Sequence, residues 1–229
     1  MTAPRQLACA VVLLAIAGQT STAEADNDEA SAHVQAVVGM VRTSERGAVG
    51  LGPLLGLGGR FTLARSDAWA FEAQATGLRG APHLDTVTII TGGVPSTGTL
   101  DRVFLGGRLE LGAHLRLNVL PWIPTVRGAI GVQARWSGAT SLRNDAGDAL
   151  ASLGATSSTD LTAALALGLD RRVGRSLMIG ASVGVVHAFP LAGDGGGFDA
   201  VELTAHVGWY FYPGWLPLAG WLGSSGGDE

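Results

Sequence analysis

Residues 108 to 117 read RLELGAHLRL. Leu109, Leu111, Ala113, Leu115 and Leu117 alternate with Arg108, Glu110, Gly112, His114 and Arg116. Successive side chains of a strand point to opposite faces, so this segment carries one apolar face and one ionic face. In a sheet bathed in water the leucines would form the core and the arginines would be wet. In a sheet closed within hydrocarbon the assignment inverts. The rest of the chain decides between the two.

The same period of two recurs along most of the sequence, which argues for strands rather than helices. Leu55, Leu57, Phe61 and Leu63 face away from Gly56, Gly58, Arg60 and Thr62. Trp69, Phe71, Ala73 and Ala75 alternate with Glu72, Gln74 and Thr76, and Val126, Ile130, Val132 and Trp136 with Arg127, Gln133 and Arg135. Leu161, Leu165, Leu167 and Leu169 oppose Asp160, Thr162, Asp170 and Arg172. Ile179, Val183 and Val185 oppose Met178, Gly180 and Ser182. Val201, Leu203, Val207, Trp209 and Phe211 oppose Glu202, Thr204, His206 and Tyr210. The stretch from His33 to Arg42 is ambiguous, because Val37 and Val41 fall among its polar positions. Counting it, about eight strands are expected.

Composition favours the inverted assignment. Only 15% of residues are charged, against about 25% in an average soluble protein. All 15 basic residues are arginine, which GC-rich codon usage explains without function. The formal charge of −4 argues against nucleic acid as a partner. Arg5, the short apolar run Leu7 to Gly18 and the small residues of Ala23-Glu24-Ala25 have the form of a secretory leader cleaved before Asp26. Cys9, the one cysteine, lies in that leader, so no disulfide or thiol chemistry is expected of the mature chain. The expected organisation is a signal peptide at 1–25, an N-terminal segment at 26–32, a β-domain at 33–212 and a tail at 213–229.

The connections differ in length in an ordered way. Short links are expected at Ser66-Asp67, around Asn118 to Pro121 and near Val173-Gly174-Arg175. Longer ones are expected at Gly80 to Leu100, Ser137 to Ser157 and Leu191 to Phe198, with a moderately long first link, TSERGAVG. In an antiparallel meander that puts turns on one rim and loops on the other, as in outer-membrane barrels.

The leader, the alternating strands, the loop asymmetry and the final strand HVGWYF (His206 to Phe211) resemble a small bacterial outer-membrane β-barrel of the OmpA/OmpX type. The resemblance implies a closed antiparallel up-and-down transmembrane barrel in the outer membrane. It also implies lipids as surroundings and docking of the last strand to the outer-membrane assembly machinery. The chain departs from that pattern by continuing past the aromatic strand as PGWLPLAGWLGSSGGDE, in which Trp215 and Trp221 could rest at a membrane surface.

Eight strands close on an interior that side chains can fill. The enclosed face would hold Arg60, Glu72, Gln74, Arg108, Glu110, His114, Arg116, Arg127, Arg135, Asp160, Asp170, Glu202 and His206. A lone buried charge costs several kcal/mol, so a set of both signs is read as a paired structural network. No phosphate loop, nucleophile elbow or H-E-x-x-H motif is present. GLGPLLGLGG (Gly50 to Gly59) and GDGGGFD (Gly193 to Asp199) read as strand and loop glycine rather than cofactor or calcium sites. The five histidines lack metal-ligand spacing, and no cofactor or metal is expected. The expected function is a non-enzymatic barrel with a structural, protective or surface-interaction role. The alternatives are a narrow pore, a soluble periplasmic carrier and a lipid-modifying enzyme. In the last, His187 and Ser182 fall on different faces with no acid near in sequence. The sequence sets no oligomeric state.

Overall fold

A computed structural model describes residues 29–45, 48–64, 66, 68–91, 93–117, 122–173, 176–193 and 196–211. The expected leader, the tail from 213 with its two tryptophans, and the turns at 118–121 and 174–175 lie outside the described residues. Twelve strands follow in chain order: β1 (Ala30–Glu45), β2 (Ala48–Ala64), β3 (Trp69–Gly80), β4 (His83–Thr91), β5 (Val94–Asp101), β6 (Phe104–Arg116), β7 (Trp122–Ser137), β8 (Thr140–Arg143), β9 (Ala149–Leu153), β10 (Thr156–Val173), β11 (Leu177–Gly193) and β12 (Phe198–Phe211).

Eight of them form the ring. Going round, the order is β1-β2-β3-β6-β7-β10-β11-β12, every neighbour antiparallel, and β12 returns to β1 along the whole of its length, from Ala30 opposite Phe211 to Thr43 opposite Phe198. Closure leaves the ring no unpaired edge. The alternation seen in RLELGAHLRL is what orients each strand. Leu109, Leu165 and Leu203 stand outside, 65%, 50% and 52% exposed, while Arg108 and Glu202 are enclosed at 1% and 6%. The inverted assignment is therefore the observed one.

The outward face is a continuous apolar belt. On β10, β11 and β12 five successive outward positions are apolar: Leu161 to Leu169, Leu177 to Val185, and Val201 to Trp209. Eight residue steps of ~3.3 Å at the ~40° tilt of such barrels make a band about 20 Å tall. Trp69, Trp122 and Trp209 sit at its lower edge, where Arg171 lies 5.0 Å from the Trp122 ring. Trp136 stands at the upper edge.

Several expectations about connections are corrected. The described part of TSERGAVG is strand rather than loop: β1 runs to Glu45 and β2 begins at Ala48, with Thr43, Ala48 and Gly50 facing inward. The Gly-rich stretch after Leu191 is likewise strand as far as Gly193. The first strand starts at Ala30 rather than His33. The two remaining long links are hairpins, β4–β5 and β8–β9, joined by Thr99 opposite Arg143 and anchored to the ring where Gly50 and Leu51 of β2 meet β4. Together they rise above the ring as a four-stranded blade with its own small core of Leu84, Val87, Leu100, Leu142 and Leu153. A bulge between Leu84 and Val87 in β4 holds Thr86 at φ 58°, a backbone conformation costly for a β-branched residue.

On this blade His83 donates from Nδ1 to the Asp101 carboxylate at 2.6 Å, and its Nε2 lies 3.2 Å from Asp85. The hydrogen bond to Asp101 raises the imidazole above its ordinary range, with the two carboxylates adding to it. A folded-state value above the unfolded one contributes stability that is present in acid and lost as pH rises through the raised value. In an NMR titration His83 should therefore lose its proton at higher pH than an exposed histidine, and Asp101→Asn should bring it back. An unchanged titration in Asp101→Asn would contradict the assignment.

Candidate functional site: the filled bore

The interior is layered from bottom to top. At the lower mouth Glu29 accepts hydrogen bonds from Arg116 at 3.2 Å and from Arg172 at 2.8 Å. Arg116 also donates to the Ser66 carbonyl, and Arg172 lies over the Tyr210 ring at 4.8 Å. Above them His206 stands 3.0 Å from Asp170, 3.2 Å from Arg60, and edge-on to His33 with ring centres 5.3 Å apart. Ser31 links His33 to Thr62. A side chain at Gly180 would collide with Asp170 and His206, and one at Gly208 with His33. Glycine at those two inward positions is what lets the rings fit.

The middle of the bore holds the densest network. Arg108 donates two parallel hydrogen bonds of 2.7 Å to Glu202, 94 residues away in sequence, and its Nε faces Glu110 at 3.3 Å. Such a two-pronged guanidinium–carboxylate contact joins charge to fixed geometry, and each of its hydrogen bonds is about twice as strong as a neutral one. Arg127 bridges Glu72 and Glu110, the latter at 3.2 Å. His114 reaches Glu72 at 3.2 Å, and Gln74 donates to Glu110 at 3.1 Å. Higher up, Arg135 donates to Asp160 at 2.9 Å and to the Gly196 carbonyl at 3.0 Å, its guanidinium 5.0 Å from the Phe198 ring. At the upper mouth Arg102 pairs with Glu45 at 3.4 Å and donates to Thr156 at 2.6 Å.

All twelve titratable positions expected inside thus point into the bore or its lower mouth. Arg60, His206 and Asp170 form one group; Glu72, Arg127, His114, Glu110, Arg108 and Glu202 another; Arg135 and Asp160 a third; Arg116 closes the base with Glu29. Sequence reasoning missed Glu29, placing it in the N-terminal segment, although Glu29, Ser31, His33 and Gln35 are polar at every second position. It also missed Glu45, which fell in the stretch TSERGAVG read as a link, and Arg102, which lies between the link read at Gly80 to Leu100 and the strand read from Arg108. Among the described residues seven arginines and seven carboxylates occupy the bore and its mouths, so the interior is close to neutral.

The bore is not ionic throughout, and here the structure adds what the sequence left ambiguous. Val41 faces inward with Leu54, Leu78, Phe104, Val186, Ala188, Phe198 and Ala200, forming an apolar plug under the upper mouth. Phe104 and Phe198 meet edge to face at 6.0 Å. Two small voids among the described residues, one above and one below the network, measure about 30 and 10 Å³, room for about two waters and for one at most. Among the described residues no group of three His, Cys, Asp or Glu side chains is placed to hold a metal ion. His187 has no acid near in sequence, and its partner comes from the next strand: pairing of β11 with β12 puts Asp199 against its Nδ1, on the outer wall.

Compared as a sequence, the chain matches no protein-family model and no curated protein. In shape it is similar to the attachment invasion locus protein Ail of Yersinia pestis, with 16% identity over 81% of this chain and 99% of that one and a TM-score of 0.46. It is similar as well to Neisserial surface protein A (14% identity, 79% and 97% covered, TM-score 0.44). A third similar structure is the outer membrane protein OprG from Pseudomonas aeruginosa (13% identity, 81% and 96% covered, TM-score 0.44).

The Arg108–Glu202 pair offers a direct test of the network. Arg108→Met strands the Glu202 carboxylate and should cost about 3–5 kcal/mol, as should Glu202→Met for the converse reason. The double variant removes both charges while Glu110 keeps Arg127 and Gln74, so it should recover most of the loss. Urea unfolding of the three variants in detergent micelles measures this, and additive losses in the double variant would contradict the pairing.

Proposed function

We propose that the chain is a non-enzymatic outer-membrane barrel that crosses the membrane as a sealed cylinder and presents its blade to the outside. The observation that carries this is the combination of an apolar belt outside with a neutral, filled bore within. Leucines exposed by half or more all round a cylinder are untenable in water, since monomeric soluble proteins rarely show apolar patches beyond a few hundred Å². They are what hydrocarbon requires. A closed ring satisfies the second demand of a bilayer, that every backbone N–H and C=O be paired internally. The tryptophans at the edges of the belt suit the two interfaces.

The same arrangement speaks against a soluble carrier, whose apolar side would line a cavity. It speaks against a solute pore as well, because ion pairs and the Phe104–Phe198 plug occupy the bore. What is left to act is the outer surface. The blade carries Asp85, Asp101, Asp145 and Asp148 against one arginine, Arg143, so a polyanion is disfavoured as its partner. Exposed Ile90 and Val94 near the β4–β5 tip, 72% and 65% exposed, favour contact with an apolar or uncharged protein surface.

Folded protein in detergent should run faster on a gel than boiled protein, and in planar bilayers it should show no steady conductance. Phe104→Ala with Phe198→Ala removes only the upper stopper and should leave the bilayer silent, because the ion network still fills the middle; a large steady conductance from the unaltered protein would overturn the sealed-cylinder reading. Leu165→Arg at mid-belt should cost ~2–4 kcal/mol, while Thr159→Arg at the upper edge of the same strand should cost no more than ~1. Equal costs at the two sites would contradict burial of Leu165 in hydrocarbon.

A further inference from the structure

On the outer wall, at the upper edge of the belt, three ionisable side chains stand on three adjacent strands. Arg42 of β1 is opposite Asp199 of β12, and Asp199 is opposite His187 of β11. Their side chains are 60%, 45% and 54% exposed. The guanidinium of Arg42 touches Asp199 at only 3.7 Å, its one ion pair among the described residues. Asp199 takes the Nδ1 side of His187, which leaves Nε2 as the ring nitrogen open to a ligand. None of these groups belongs to the bore.

Directly below them the wall is hollowed into an apolar trough of about 600 Å³, within the size range of ligand sites. Met40, Leu51 and Leu165 form its sides, and Ala163, Val185 and Val201 its low floor. Ala163 is opposite His187, so the floor runs straight up to the charged group. An acyl chain has the shape and chemistry of the trough. A phosphate has those of the head: acceptor oxygens facing a guanidinium with spare donors and, with Nδ1–H held by Asp199, the Nε2–H of the imidazolium form of His187.

We propose that this face holds one phosphate-bearing membrane lipid, its phosphate on the outward side of Asp199, bridged by Arg42 and the imidazolium form of His187, with one acyl chain along Ala163, Val185 and Val201. The inference rests on the membrane-spanning reading above, because only then is the trough bathed in lipid. Asp199 acts as a positioning residue that fixes the His187 ring. The lining contains no Ser, Cys or Lys, so the His187–Asp199 pair is assigned to binding rather than to acyl transfer.

Native mass spectrometry of the full chain in detergent micelles tests this with three probes: dimyristoyl phosphatidate, dimyristoylglycerol and inorganic phosphate. Phosphatidate should be retained as a single bound molecule, while dimyristoylglycerol and inorganic phosphate should not. Arg42→Gln and His187→Gln should each weaken retention about tenfold or more, the loss expected of a charge-assisted hydrogen bond. Ala163→Trp, which fills the floor and touches no charge, should abolish it. Equal retention of dimyristoylglycerol, binding of inorganic phosphate alone, indifference to the substitutions, or a second copy of the chain released by Ala163→Trp would each overturn the proposal. Heat-modifiable gel migration of the same variants separates this outcome from failure of the barrel itself: a chain that migrates as a folded barrel and retains no phosphatidate refutes the site alone.

Discussion

Pairing of enclosed charges is the constraint on which this structure depends. Turning the leucine face of every ring strand outward forces the alternate residues inward, and on these strands they are arginine, glutamate, aspartate and histidine. Each such ion brings a desolvation penalty of several kcal/mol that only close opposite charge and good hydrogen bonds offset. The bore meets that demand by long-range partnership. Arg108 finds Glu202 across the cylinder, Arg127 is shared by Glu72 and Glu110, and Glu29 ties two arginines at the base. Such contacts form only when the ring is closed and in register. The network is thus less a source of net stability than a device that makes wrong register costly, since a one-residue slip would turn every ion toward the belt.

Above the network the logic changes. Near the upper mouth the inward residues become Val41, Leu54, Leu78, Phe104, Val186 and Phe198. Apolar groups there carry no desolvation penalty and pack round the Arg135–Asp160 pair, which stacks under Phe198. The cylinder is therefore stoppered twice, by ions in the middle and by a small oily core at the top. From that upper rim the β4–β5 and β8–β9 hairpins continue upward round a small core of their own.

What the sequence disclosed and what it concealed follow from the same physics. A lipid-facing position tolerates little but apolar side chains, so the outward stripe of β6, β10 and β12 is legible, and the inward stripe follows by alternation. The bore tolerates both ions and hydrocarbon. Where it turns apolar, as at Val37 and Val41, both faces look alike and the period of two fades. The hairpins escaped notice because glycine, threonine and proline in 80–100 resemble loop, and the bulge at Thr86 breaks the alternation of β4. The group of Arg42, Asp199 and His187 depends on registers between β1, β12 and β11, and no local pattern in one strand contains them.

The direction each strand face looks can be measured by spin-label accessibility. The one cysteine, Cys9, lies in the expected leader, so single cysteines for labelling can be introduced at Leu109, Leu165, Leu203 and inward Thr162. In bilayers, labels at the three leucine sites should collide readily with oxygen dissolved in the acyl chains and scarcely with a water-soluble nickel complex, while the label at Thr162 should be shielded from both. Ready collision of the nickel complex with labels at Leu109, Leu165 and Leu203 would show that water, not hydrocarbon, covers the leucine face, and would contradict the account at its root.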